Sequence, residues 1–213
     1  MQGRFRSSPV LSPATPVHFL HDCLPLALVA VTACAGSRPA PAAPHITGEL
    51  RIDRNAAYQA AGVETIASTA TAALIAERGP AVRAASAASF EDPALRSRVE
   101  RVALLAPRRT FDPARGLTLR FGGEEVHVIY PGPAHSPDDV VVHFPARRLL
   151  FGGCMIKASG ASIGYTRDAD LRHWEAAVHS LEPLAPRVVV PGHGAVGGPE
   201  LFAATVAIVR AAR

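Results

Sequence analysis

Between residues 117 and 130 the chain alternates apolar and polar residues with a period of two. Two such runs, LTLRF and VHVIY, flank GGEE. Alternation around Gly122-Gly123 predicts an antiparallel hairpin. VVVHF and LLF follow as two more apolar runs joined by the turn PARR. In DADLRHWEAAVHSLEPL the period lengthens to that of an amphipathic helix, with Asp168 or Asp170 near its start. RVVV then reads as a buried strand leading into PGHG, and PELFAATVAIVRAAR as a closing helix with Pro199 near its first turn. Upstream the signals are shorter. DRNAAYQAAG is helix-like and stops at Gly62, VETIAS reads as a strand, and Ser68 is placed to cap a helix TATAALIAERG that ends at Gly79. Residues 80–115, rich in Ala, Pro and Arg, carry no clear period, and no element is assigned there.

Strands alternating with helices in the second half predict an α/β layered domain. With 213 residues, 48% apolar and only 19% charged, the chain can bury a core. Its formal charge of +4 comes from scattered arginines rather than a basic block, which argues against nucleic acid as a partner. Three cysteines make no disulfide framework, and two of them lie near the start. There, Arg4 and Arg6 precede the apolar run LPLALVAVTA, too short to span a bilayer and suited to an export signal. VTAC at its end is similar to a bacterial lipobox, with Cys34 as the lipid-anchored residue. The expected organisation is an export signal over 1–34, a Pro- and Ala-rich linker over 35–47, and a folded domain over 48–213. A periplasmic or outer-membrane-anchored bacterial protein follows from that reading.

Three residues share one context, the loop beyond a predicted strand. His135 follows VIYPGPA, Cys154 follows LLFGG, and His193 follows VVVPG. Neighbouring glycines let the backbone turn sharply and approach a site closely. Two imidazoles and a thiolate suit zinc, which takes nitrogen and sulfur ligands. His127, His143, His173 and His179 fall within strands or on a helix and are read as structural.

The stretch PGPAHSPDDVVVHFPARRLLFGGCMIK, followed by GYTRDADLRHW and VVVPGHGAVGG, resembles the class B metallo-β-lactamases, the subclass with a cysteine zinc ligand. The resemblance spans roughly residues 63–213 and is most specific over 130–198. It implies an αββα sandwich, zinc at a paired metal site, and hydrolysis of β-lactam antibiotics by a monomeric enzyme. His135 would belong to the three-histidine site, and Cys154 and His193 to the second. Lys157 matches the cation that pairs with the substrate carboxylate, and Ser162 falls near a residue that helps polarise the lactam carbonyl.

The family's H-x-H-x-D motif is absent from the expected place. One alignment puts Asp53 at its aspartate, as a metal ligand and catalytic residue; Glu49 and Arg51 then replace the histidines, and arginine cannot ligate zinc. A second alignment makes GELRIDR the first strand of the mature fold and leaves Asp53 no ligand. Either way the N-terminal half of the sandwich, with its own sheet, is expected to be largely missing, exposing an apolar face of the remaining sheet. Two other functions stay open: a non-catalytic exported zinc-binding lipoprotein, and a related thioesterase or lactonase. Cys154 and Lys157 weigh against the second, because such relatives carry aspartate where Cys154 stands.

Overall fold

A computed structural model of the chain describes residues 54–213. The export signal, the linker, Cys34 and Asp53 lie outside the described residues.

Helix α1 (Arg54–Ala60) ends at Gly62, whose φ of 77° reverses the chain as its sequence position predicts. Strand β1 (Ile66–Ser68) runs into α2 (Thr69–Ala88), and Ser68 caps it by accepting from the Thr71 amide at 3.0 Å. Such a cap is worth about 1 kcal/mol. The expected stop at Gly79 is wrong: α2 continues through Gly79-Pro80 to Ala88. Proline removes one helical hydrogen bond, but the alanine-rich turns beyond it have the highest helix propensity. Tertiary contact also holds the second half, since Arg83 Nη1 donates to the Val102 carbonyl at 2.9 Å. The unassigned stretch contains α3 (Pro93–Glu100), capped by Asp92, and β2 (Arg109–Phe111).

Strands β3 (Leu117–Phe121) and β4 (Glu124–Ile129) form the predicted hairpin around Gly122-Gly123, with Phe121 opposite Glu124. Next come β5 (Val141–Phe144), a 3-10 turn at Pro145–Arg147, and β6 (Leu149–Gly153). Helix α4 (Leu171–His179) crosses over to β7 (Val188–Pro191), and α5 (Glu200–Ala211) closes the chain. The five strands lie in the order β3-β4-β5-β6-β7, antiparallel except for the parallel pair β6-β7.

Alternation along these strands gives the sheet two faces. One packs Val141, Leu150 and Val189 against Trp174 and Val178 of α4 and Phe202, Val206 and Val209 of α5. The other turns Val126, Val128 and Val142 toward Ile66 and Phe111 of the small parallel pair β1-β2, on which α2 packs. The described chain is therefore an α/β sandwich, in agreement with the layered fold expected from the sequence, in which the second sheet amounts to two strands. Its inner face is only partly covered. A groove of about 570 Å³ runs between the sheets, lined by Ile66, Phe111, Leu117, Leu119, Phe121 and Val128, and Phe151 on that face is 38% exposed.

One polar side chain sits uneasily in this packing. His143 is 7% exposed, and neither ring nitrogen has a hydrogen-bond partner. Its cross-strand neighbour is His127, ring centroids 6.1 Å apart. Burial, and secondarily the neighbouring His127, hold the His143 pKa below the usual 6.5. The unfolded chain therefore takes up this proton first as pH falls, and stability contributed above the unfolded pKa is lost below it. Chemical denaturation at about pH 7.5 and about pH 5.5, either side of the free imidazole's pKa of about 6.5, should give a smaller stability difference for His143→Leu than for the parent chain.

Candidate metal and anion site

Strand direction decides which loops can meet. β6 and β7 are parallel, and β4, two antiparallel steps from β6, points the same way. The loops after β4, β6 and β7 therefore leave from one edge of the sheet, and they carry His135, Cys154 and His193. Loops at strand ends are where such layered folds place their chemistry.

Cys154 and His193 are brought together, with Sγ 3.5 Å from Nε2. Their backbones almost touch, since the Gly192 amide donates to the Gly153 carbonyl at 2.7 Å. A Cβ on Gly192 would fall 2.7 Å from the Cys154 nitrogen and 2.8 Å from its Cα, so no larger residue fits. Gly153 takes a φ of 56° where β6 breaks register with β7. The thiol is free of any disulfide and half-buried, while His193 is exposed.

His135 is only 3% exposed and meets the Trp174 ring edge to face, centroids 5.6 Å apart and planes at 81°. Burial pushes its pKa down to about 4, helped by Lys157 and His193 and opposed by Asp168. The ring is neutral near pH 7, keeping a lone pair available to a metal or a proton donor. Its loop is held from both sides. The Asp170 amide donates to the Ala134 carbonyl at 2.8 Å, and the Ser136 amide to Asp139 Oδ2 at 2.8 Å. Burial raises Asp139 to about 6 against those stabilising Ser136 bonds.

Lys157 lies 8% exposed with Nζ 5.3 Å from the Trp174 ring centroid, and its amide donates to Thr205 Oγ1 at 2.9 Å. Ser162 is exposed on the loop before α4. Sequence reasoning missed two participants. Trp174 is an ordinary core position by pattern, and only its rarity as the single tryptophan singled it out. Asp168 does not start α4, a role taken by Asp170; it faces Tyr165 Oη at 3.4 Å and Arg78 of α2 at 3.5 Å.

A thiol and an imidazole at this separation fit zinc as two of its ligands, and a neutral His135 has the right donor chemistry for another. Among the described residues, no three His, Cys, Asp or Glu side chains converge into a complete metal shell.

The family model described as the metallo-beta-lactamase superfamily matches residues 60–193. Among curated relatives, the metallo-beta-lactamase type 2 of Bacteroides fragilis is 42% identical over 96 residues, covering 44% of this chain and 39% of the relative. That of Bacillus cereus is 35% identical over 95 residues, covering 43% and 37%. The chain thus spans about two fifths of the length of these relatives. Among solved structures, a metallo-beta-lactamase from Pontibacter korlensis superposes with a TM-score of 0.58 at 32% identity, covering 73% of this chain and 61% of that one. FIM-1 from Pseudomonas aeruginosa, solved in its mono-zinc form, gives 0.56 at 28% identity, covering 74% and 60%.

The Gly192 contact generates a prediction. Gly192→Ala should destabilise the fold by about 1–3 kcal/mol and move the Cys154 loop off His193. Denaturation midpoints, compared with the parent chain, should fall accordingly.

Proposed function

Because this chain belongs to the metallo-beta-lactamase superfamily, we propose that its site binds zinc through Cys154 and His193 and serves hydrolysis of the β-lactam amide bond. The observation that carries this reading is the 3.5 Å approach of Sγ and Nε2 on two loops whose backbones leave no room for a side chain between them. The names of the curated relatives and the mono-zinc state of FIM-1 support it. Zinc held by Cys154 and His193 would supply Lewis-acid activation of water near neutral pH. His135 offers a further neutral donor. Lys157 supplies fixed positive charge for the anionic group of the substrate, and Ser162 a hydroxyl at the rim. Asp53, outside the described residues, is the remaining candidate ligand and catalytic residue. We further propose export to the periplasm, free or anchored to the outer membrane through Cys34, as a monomer.

Turnover is expected to be slow, because in the alignment that places Asp53 at the motif's aspartate Arg51 stands at one of the two histidine positions, and arginine cannot ligate zinc. A second reading, an exported zinc-binding protein without turnover, draws on the incomplete metal shell among the described residues.

One experiment separates the two. The zinc-loaded chain is expected to hydrolyse a chromogenic cephalosporin faster than a Cys154→Ser control. Equal rates, with one zinc tightly bound, would leave only the non-catalytic reading standing.

A further inference from the structure

We propose that Trp174 is the positioning residue of this site: one indole sets the spacing between the imidazole of His135, the chain at Cys154 and the ammonium of Lys157. The inference rests on the zinc-binding reading of Cys154 and His193.

Trp174 lies in the first turns of α4 and is fully buried. Its backbone amide donates to the Asp170 carbonyl at 3.0 Å, and the Asp170 amide donates to Ala134, the residue before His135. The helix start and the His135 loop therefore move together. Three sides of the indole meet three parts of the site. Its ring system contacts the His135 imidazole edge to face. Its Nε1–H donates to the Met155 carbonyl at 2.8 Å, one residue beyond Cys154. Its π face receives the Lys157 ammonium, within the ~6 Å at which a cation–π attraction operates.

Each contact needs a different property of the side chain. Edge-to-face packing needs an aromatic quadrupole. The Met155 carbonyl needs a donor, because a buried carbonyl left without one costs about 1–3 kcal/mol. The ammonium needs an electron-rich face, since a buried charge is unfavourable without compensation. Tryptophan combines all three, and here its Nε1–H is the donor that reaches the Met155 carbonyl. A purely space-filling role would require only volume, which Phe202 supplies in the same cluster.

The test uses the whole chain and zinc alone. Trp174 is the only tryptophan, so its emission reports on the site without a label. Zinc should change the emission of the parent chain and not that of Cys154→Ser. Zinc affinity, read by competition with a chromophoric chelator, should fall about tenfold in Trp174→Phe, as when a partner of a ligand loop is removed. It should fall further in Trp174→Leu, while Phe202→Leu, a comparable loss of core volume, stays within about twofold, as for a site that is not coupled. Trp174→Phe carries the test if Trp174→Leu does not fold. Affinity in Trp174→Phe equal to the parent, or Phe202→Leu weakening zinc as much, would overturn the positioning role while leaving the zinc site intact. If Cys154→Ser binds zinc like the parent, the underlying reading fails instead.

Discussion

The meeting of Cys154 with His193 follows from the parallel pairing of β6 with β7. Parallel neighbours send their C-terminal ends to one edge, so the residues after each strand are delivered to the same place. The Gly192 amide on the Gly153 carbonyl fixes the remaining distance, at a separation that excludes any Cβ. That contact sets a thiol and an imidazole facing each other, Sγ 3.5 Å from Nε2. Burying Leu150 and Val189 at the centre of the two strands holds the contact in register, because a one-residue slip would turn both into the opposite face.

Around this pair the charges are arranged asymmetrically. His135 is kept neutral, chiefly by burial, while Lys157 is carried into the same neighbourhood as a cation. Asp168 lies close enough to His135 to oppose that shift and meets Arg78 from α2, the layer on the far side of the sandwich. The first half of the described chain thus reaches the edge where the second half keeps its ligands, although its own sheet is only two strands wide.

Local signals read from sequence held wherever local chemistry decides structure. Gly122-Gly123 made its hairpin, Ser68 capped α2, and His135, Cys154 and His193 lie on loops that follow strands, as read. The reading failed where non-local contact decides. At Gly79-Pro80 the break in propensity was real, but an alanine-rich continuation and the Arg83–Val102 bond carried the helix on. α3 and β2 were hidden in a stretch without period, because β2 is three residues long and defined by its pairing with β1. Lys157 was read only as a cation that matches the family's, since nothing in sequence reveals an indole waiting seventeen positions later. The meeting of Arg78 with Asp168 depends on how two layers stack, and no spacing encodes it.

The seating of Lys157 on Trp174 has a consequence for any anion that arrives. An ammonium on the surface is wrapped in ordered water, and a carboxylate must displace that shell before it gains from the charge. Here the shell is largely stripped when the chain folds, and the indole face stands in for part of it. An anion bound there, as proposed, would meet a cation already partly stripped of water, so part of the cost of preparing it is borne by folding and not by each encounter.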